Sequence, residues 1–278
     1  MAVSEFRSLV NSQVEAMLAA GRRLHPETFD DVSERSYRAF PKRWADQVRI
    51  EFVQGLGSSG NLASESAIVE QGHDLSGLFL PADRSIGRRP LIEIDARSFF
   101  RMHFTAFHEL GHFLQRTDMD CYARLFSFDD RAEAKRFEES ACNRFAAEVL
   151  LPDALVRSNL TPDGVVASDA CRLFLNAHFA SRQAVARRLA EYLPKGGSVS
   201  FFDMRGRLAV RAFASGRSEY GADPSAFEVR ALTMLRQGDK DELVMDGETL
   251  GSGGAAAGRI SAAKSRFAKG HGVFVVVS

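Results

Sequence analysis

The chain has 278 residues, 45% of them hydrophobic and 26% charged, an ordinary globular composition long enough for one large core or two modest ones. Lysine plus arginine balances aspartate plus glutamate at 36 each, so no global charge draws the protein to nucleic acid or to an anionic membrane. No run approaches the ~18 uncharged apolar residues of a membrane span, and three scattered cysteines without a CxxC exclude a disulfide scaffold.

In chain order, the opening "MAVSEFRSLVNSQVEAML" is interrupted by Glu5, Arg7 and Glu15. It reads as a poor export signal, and a reducing cytoplasm is the expected compartment. Phe6, Leu9, Val10, Val14, Met17 and Leu18 share one helical face across residues 4–20, with Ser4 as N-cap. Between residues 48 and 95 the pattern shortens, and "VRIEFV", "SGLFLP" and "PLIEID" read as strands separated by Gly, Ser and Pro. "SFFRMHFTAFHELGHFLQ" is a helix running to a polar loop at residues 116–123. "RAEAKRFEESACNRFAAEVLL" is a second long helix with Phe137, Ala141, Phe145 and Val149 on one stripe, stopped by Pro152.

The turn-rich "SNLTPDGVVASD" follows, then a helical stretch over 168–193 in which Ser181 is the N-cap for Val185, Leu189 and Leu193. From Gly196 the texture turns to strands, "SVSFFDM", "RLAVRAFA", "DELVM" and "GVFVVVS", with Asp246-Gly247 as a hairpin signal. A helix over 225–236 opens with Ser225 and Glu228, a capping box. The expected fold is α+β in three parts. Residues 1–155 form a mixed catalytic domain with N-terminal helices, 156–195 a helical, helix-turn-helix-like connector, and 196–278 a small α+β domain.

The chemistry concentrates in "TAFHELGHFLQ", residues 105–115. His108 and His112 are four apart on a helix, so both imidazoles share a face and can point at one centre. Zinc suits them, since a catalytic zinc takes three protein ligands and keeps a position for water. Glu109 flanks that centre and can accept a proton from the activated water, so His-Glu-x-x-His combines two ligands with a general base. The surrounding Phe104, Ala106, Phe107, Leu110, Phe113 and Leu114 are apolar, and unpaired polar groups in such a run would be destabilising. Gly111 lets another backbone approach closely, at a helix cost of about 0.8–1 kcal/mol relative to Ala.

A third ligand is sought on the next helix, in "EESACNRF". Glu139 and Asn143 are again i and i+4. Glu139 is favoured as ligand, with Asn143 as acceptor from the distal N–H of a ligand histidine. Glu138 is the rival carboxylate, about 100° round the helix. His103 falls off the shared face, and neither Tyr122 nor His178 is assigned an oxyanion role.

"FTAFHELGHFLQ" followed by "EESACNRFAAEVLLP" resembles the ImmA/IrrE family of zinc metallopeptidases, in which a HELGH helix precedes an E-x-x-x-N-x-F-A-A-E-x-L-x-P helix. The likeness spans residues 88–193 and includes "FASRQAVARRL". It implies a zincin-like domain with His108, His112 and Glu139 holding Zn2+ and Glu109 as base. It further implies cleavage of a helix-turn-helix transcriptional repressor, derepressing mobile-element, DNA-damage or anti-phage defence genes. Within the family the chain resembles the longer, radiation-response type, for which the C-terminal domain would be GAF-like and sensory. Some relatives regulate CBASS operons in the same way.

Cys121, in "RTDMDCYAR", is a candidate inhibitory fourth zinc ligand as thiolate, whereas Cys142 and Cys171 read as small core residues. "GLGSSG" at 55–60 matches G-x-G-x-x-G, but no convincing helix follows, so a loop is expected. "GSGGAAAG" at 251–258 reads as a linker or loop. Arg259, Lys264, Arg266 and Lys269 form a basic segment, and Arg182, Arg187 and Arg188 give "SRQAVARRL" the look of a recognition helix that packing explains equally well. The alternative to a peptidase is a non-proteolytic regulatory protein whose C-terminal domain senses a small molecule or nucleic acid. In the peptidase reading, an extended substrate lies beside an edge strand, with "PLIEID" expected in that place.

Overall fold

The computed structural model describes residues 3–54, 76–238, 240–245, 258–267 and 270–278. "GLGSSG", the Asp246-Gly247 turn, residues 251–257 of "GSGGAAAG" and Lys269 lie outside the described residues. The fold is α+β, and the chain divides into two compact units, Met1–Leu150 and Leu151–Ser278.

The first unit opens with helices α1 (Val3–Leu24), α2 (Pro26–Asp30) and α3 (Phe40–Arg43). Strands β1 (Arg49–Val53), β2 (Gly77–Leu80) and β3 (Leu91–Asp95) then form a three-stranded sheet in the order β1-β3-β2. β1 runs parallel to β3 and β2 antiparallel to it. "PLIEID" is therefore the central strand, not an edge. It has a hydrogen-bonded partner on each side and so no backbone groups left for another chain, while its fully buried Ile92 and Ile94 project from the sheet into the core. The edge next to it is β2, which has no strand on its outer side among the described residues.

Helices α4 (Phe99–Thr117), α5 (Met119–Leu125) and α6 (Arg131–Leu150) complete this unit. The apolar face of α4 buries Met102, Ala106, Phe107, Leu110, Phe113 and Leu114. Phe107 packs 4.8 Å from Phe40, and Trp44 lies 6.4 Å from Phe113 while donating its indole N–H to Thr28 Oγ1. The predicted stripe of α6, Phe137, Ala141, Phe145 and Val149, is buried. Gly111 fulfils its expected role. A Cβ there would stand 2.9 Å from Met17 Cε and 3.3 Å from Cys142 Cα, so glycine lets α1 and α6 close on α4.

Residues 116–123 differ from the expected loop, because most of them are helical. Asp118 accepts from the backbone N–H groups of Asp120 and Cys121, both at 3.1 Å, and this N-cap starts α5 directly after α4.

The second unit contains α7 (Asp153–Ser158), α8 (Ala167–Asn176), α9 (Arg182–Ala190), β4 (Ser198–Asp203), β5 (Leu208–Phe213), β6 (Ser218–Glu219), α10 (Ala226–Gln237), β7 (Glu242–Met245), β8 (Ile260–Phe267) and β9 (Gly270–Val277). The strands form a six-stranded sheet ordered β6-β5-β4-β9-β8-β7. Ser225 and Glu228 make the predicted capping box of α10. One sheet face packs Phe202, Leu208, Ile260, Ala262 and Val275 against Ala231, Leu232 and Leu235 of α10. Alternate residues face α8 and α9. The Ala167 N–H donates to Ser261 Oγ at 2.8 Å, and the Arg182 Nε–H donates to Ser265 Oγ at 3.0 Å.

The arginines of "SRQAVARRL" are largely committed within this unit. Arg182 lies over Phe174 and Phe201, while Arg188 is buried against Asp153 and Glu191. In the basic segment, Lys264 and Arg266 both pair with Asp241. Among the described residues no helix is long and apolar enough to cross a membrane.

Candidate metal centre

Helix α4 carries His108 and His112 on the face turned to α6, and α6 brings Glu139 to meet them. The two Nε2 atoms are 3.2 Å apart. Glu139 Oε2 lies 3.4 Å from His108 Nε2, and Oε1 lies 3.6 Å from His112 Nε2. A tetrahedral ion with bonds of about 2.0–2.1 Å needs neighbouring donors about 3.3–3.4 Å apart. The three separations straddle that edge length, so the donor set fits zinc in both chemistry and spacing. The two histidines are mostly covered and Glu139 is the most open of the three, leaving the cluster reachable from one side. The imidazole of His108 beside Glu139 holds its carboxyl below the usual range, against the opposing effect of burial.

Glu109 is buried on the adjoining face of α4. Burial raises its pKa, opposed by the His112 and His108 imidazoles and by a hydrogen bond donated from the Phe79 N–H of β2. A carboxylate whose affinity for protons is raised by burial suits general-base work. Gly77 makes this contact with β2 possible. A Cβ at that position would overlap Thr105 Cγ2 and stand 2.8 Å from Glu109 Oε1 and 2.9 Å from its Cγ.

Two expectations require correction. Asn143 is exposed and bonds neither imidazole among the described residues. Glu138 takes the place expected for it, with Oε1 3.1 Å from His112 Nδ1. The preceding glutamate succeeds because the stripe of α4 facing α6 extends one turn beyond His112 to Arg116, whose guanidinium donates to both Glu138 oxygens at 2.8 and 3.1 Å. Burial would raise the Glu138 pKa, but His112 and Arg116 together lower it.

Cys121 is the second correction. It lies on α5, fully buried, and is absent from the His108–His112–Glu139 group. Burial and the adjacent Asp118 carboxylate push its thiol up to about 12, so it is a protonated core residue rather than a thiolate ligand.

Sequence reasoning weighed Glu138 only as a rival ligand and missed its contact with His112, and it missed Gly77 and the Phe79 N–H. Of these, only Glu138 had a local signal, the basic Arg116 four residues beyond His112. Elsewhere, His103 donates from Nδ1 to the Phe99 carbonyl, 2.7 Å away, and Tyr122 packs edge-on against Phe126.

A helix-borne His-Glu-x-x-His on α4, with a carboxylate presented by α6, is an arrangement of the metallopeptidase type on an α+β fold. Residues 71–190 match the Peptidase_M78 family model, described as an IrrE N-terminal-like domain. A Mycobacterium tuberculosis transcriptional regulator has a solved structure similar to the whole chain at a TM-score of 0.49 and 10% identity, covering 100% of this chain and 94% of that one. No curated protein gives a significant match.

Proposed function

We propose that the protein is a zinc-dependent endopeptidase that cleaves a partner transcriptional repressor and thereby derepresses stress or defence genes. The observation that carries the catalytic part is the convergence of two Nε2 atoms 3.2 Å apart with one Glu139 oxygen 3.4 Å from His108 and the other 3.6 Å from His112, and Glu109 beside them. The choice of a helix-turn-helix repressor as substrate, acting in the cytoplasm, rests on the motif resemblance to the ImmA/IrrE family.

His108, His112 and Glu139 would hold the ion, which supplies Lewis acidity toward a peptide carbonyl and toward water. Glu109 takes a proton from the attacking water on its carboxylate and later returns it to the leaving amine nitrogen, so its protonation state is restored after each cleavage. An extended segment of substrate adds to the outer edge of β2, replacing the role expected of "PLIEID", because main-chain pairing with an open edge holds a peptide straight. The sheet-containing second unit, including residues 196–278, would be the sensory half that responds to an effector.

The test is Glu109→Ala. The variant should retain stoichiometric zinc and its fold, yet fail to generate the repressor fragment seen with wild-type protein in a gel or mass-spectrometric assay. Cleavage at the wild-type rate by the variant would overturn the mechanism.

A further inference from the structure

We propose that Arg116 and Glu138 form a positioning pair that locks the ring of His112, so that its Nδ1 is occupied and only Nε2 faces the ion site. This inference rests on the metal-centre reading and concerns how that centre is held together.

The geometry is a chain of contacts running from solvent inward. Arg116 is about half exposed, with 47% of its side-chain surface open, whereas the Glu138 side chain keeps only 14%. Arg116 donates to both carboxylate oxygens, and one of these oxygens also faces His112 Nδ1. A carboxylate accepts only, so the imidazole must donate from Nδ1. In the neutral ring that binds a metal, its remaining nitrogen, Nε2, then carries the lone pair and lies toward His108 and Glu139. The same contact raises the basicity of the ligand nitrogen.

The backbone around Glu138 is anchored as well. Gln115 donates its amide N–H groups to the Glu138 carbonyl at 3.3 Å and to Cys142 Sγ at 2.9 Å. Gln115 in turn accepts from the fully buried Gln13 of α1 at 3.1 Å. Three helices therefore set the register between the two ligand helices. His108 offers a contrast, since its Nδ1 is buried without a hydrogen-bond partner among the described residues. Ring orientation by hydrogen bonding thus falls on His112, and its partner carboxylate should be felt strongly in metal binding.

The experiment measures zinc affinity by chelator competition and the tautomer of His112 by nitrogen-15 NMR of the metal-free full chain. Wild type should show the Nδ1-protonated tautomer. Glu138→Ala should bind zinc roughly 10–100-fold more weakly and lose that tautomer preference. Glu138→Gln retains an oxygen that accepts from Nδ1 and should recover most of the affinity, while Arg116→Met should fall between it and wild type. If Glu138→Ala fails to fold, the Gln and Met variants and the wild-type tautomer still decide. A wild-type Nε2-protonated ring overturns the proposal, as does a folded alanine variant with unchanged affinity. Failure of wild type itself to bind zinc would instead bring down the metallopeptidase reading, and this inference with it.

Discussion

Gly77 shows how a residue with no side chain can govern one that does chemistry. Its missing Cβ lets β2 lie against Glu109, where the Phe79 N–H reaches the carboxylate. In Gly77→Ala the new methyl would stand 2.8 Å from Glu109 Oε1, so either the strand retreats or the carboxylate moves. Because a displacement of about 1 Å can slow an enzyme about 100-fold, the proposed repressor cleavage should fall by that order while zinc binding is retained. Normal turnover by a folded variant would show that this close approach has no part in catalysis. The residues of the site were unequally legible for a related reason. His108, Glu109 and His112 belong to one helix, and i to i+4 spacing is a local property that a sequence displays. Glu138 and Gly77 act across elements. Their roles depend on which faces meet, and the expectation that Asn143 orients a ligand histidine failed because a single helix does not record how it is rotated against its neighbour.

At the scale of elements, long amphipathic helices were legible and weakly patterned segments were not. Residues 116–123 looked like a loop because Arg116, Thr117, Asp118 and Asp120 give them a polar texture, yet Asp118 is the cap that begins α5. β8 has the sequence "ISAAKSRF", whose small and charged residues have little strand character of their own. It is a strand because β7 and β9 pair with it on either side. The capping box of α10 was legible, but the second use of Glu228 was not. That carboxylate is almost completely buried and contacts Ser200 on β4 and Arg211 on β5 in addition to its own N-cap. Burial would raise its pKa, but Arg211, Ser200 and the Ser225 N–H hold it below 4.5. A carboxylate depressed in the folded state contributes stability above its unfolded pKa and loses that contribution as pH falls through the folded value. Urea unfolding of the full chain should therefore show a loss of stability below pH 4.5 that is smaller in Glu228→Gln. At neutral pH the same variant should be destabilised by about 1–3 kcal/mol, since Arg211 loses its buried counter-charge but keeps Glu219 at 2.8 Å. Equal stability of the two proteins at pH 7 would remove Glu228 from this role.

At the scale of the whole molecule, the two compact units divide the work differently from a linear reading of the chain. Residues 156–195 carry apolar positions such as Leu173, Val185 and Leu189 that are fully buried in the second unit, whose sheet supplies the surface against which these helices pack. All three donor atoms of the metal centre, by contrast, come from the first unit. Ion binding should consequently act on one unit's stability and leave the other's unchanged. A ligand that binds only the folded state, present at about 100 times its dissociation constant, stabilises it by about 2.7 kcal/mol. For a unit of this size that corresponds to a rise in melting temperature of about 5–10 °C. Calorimetry of the full chain with and without zinc should show such a rise in one transition. Glu139→Ala, which keeps both histidines but removes the donor from α6, should abolish most of it, because two ligands on a single helix no longer tie α4 to α6. An equal shift in that variant would place the stabilising ion elsewhere, and a single transition that shifts as a whole would mean that the units unfold as one.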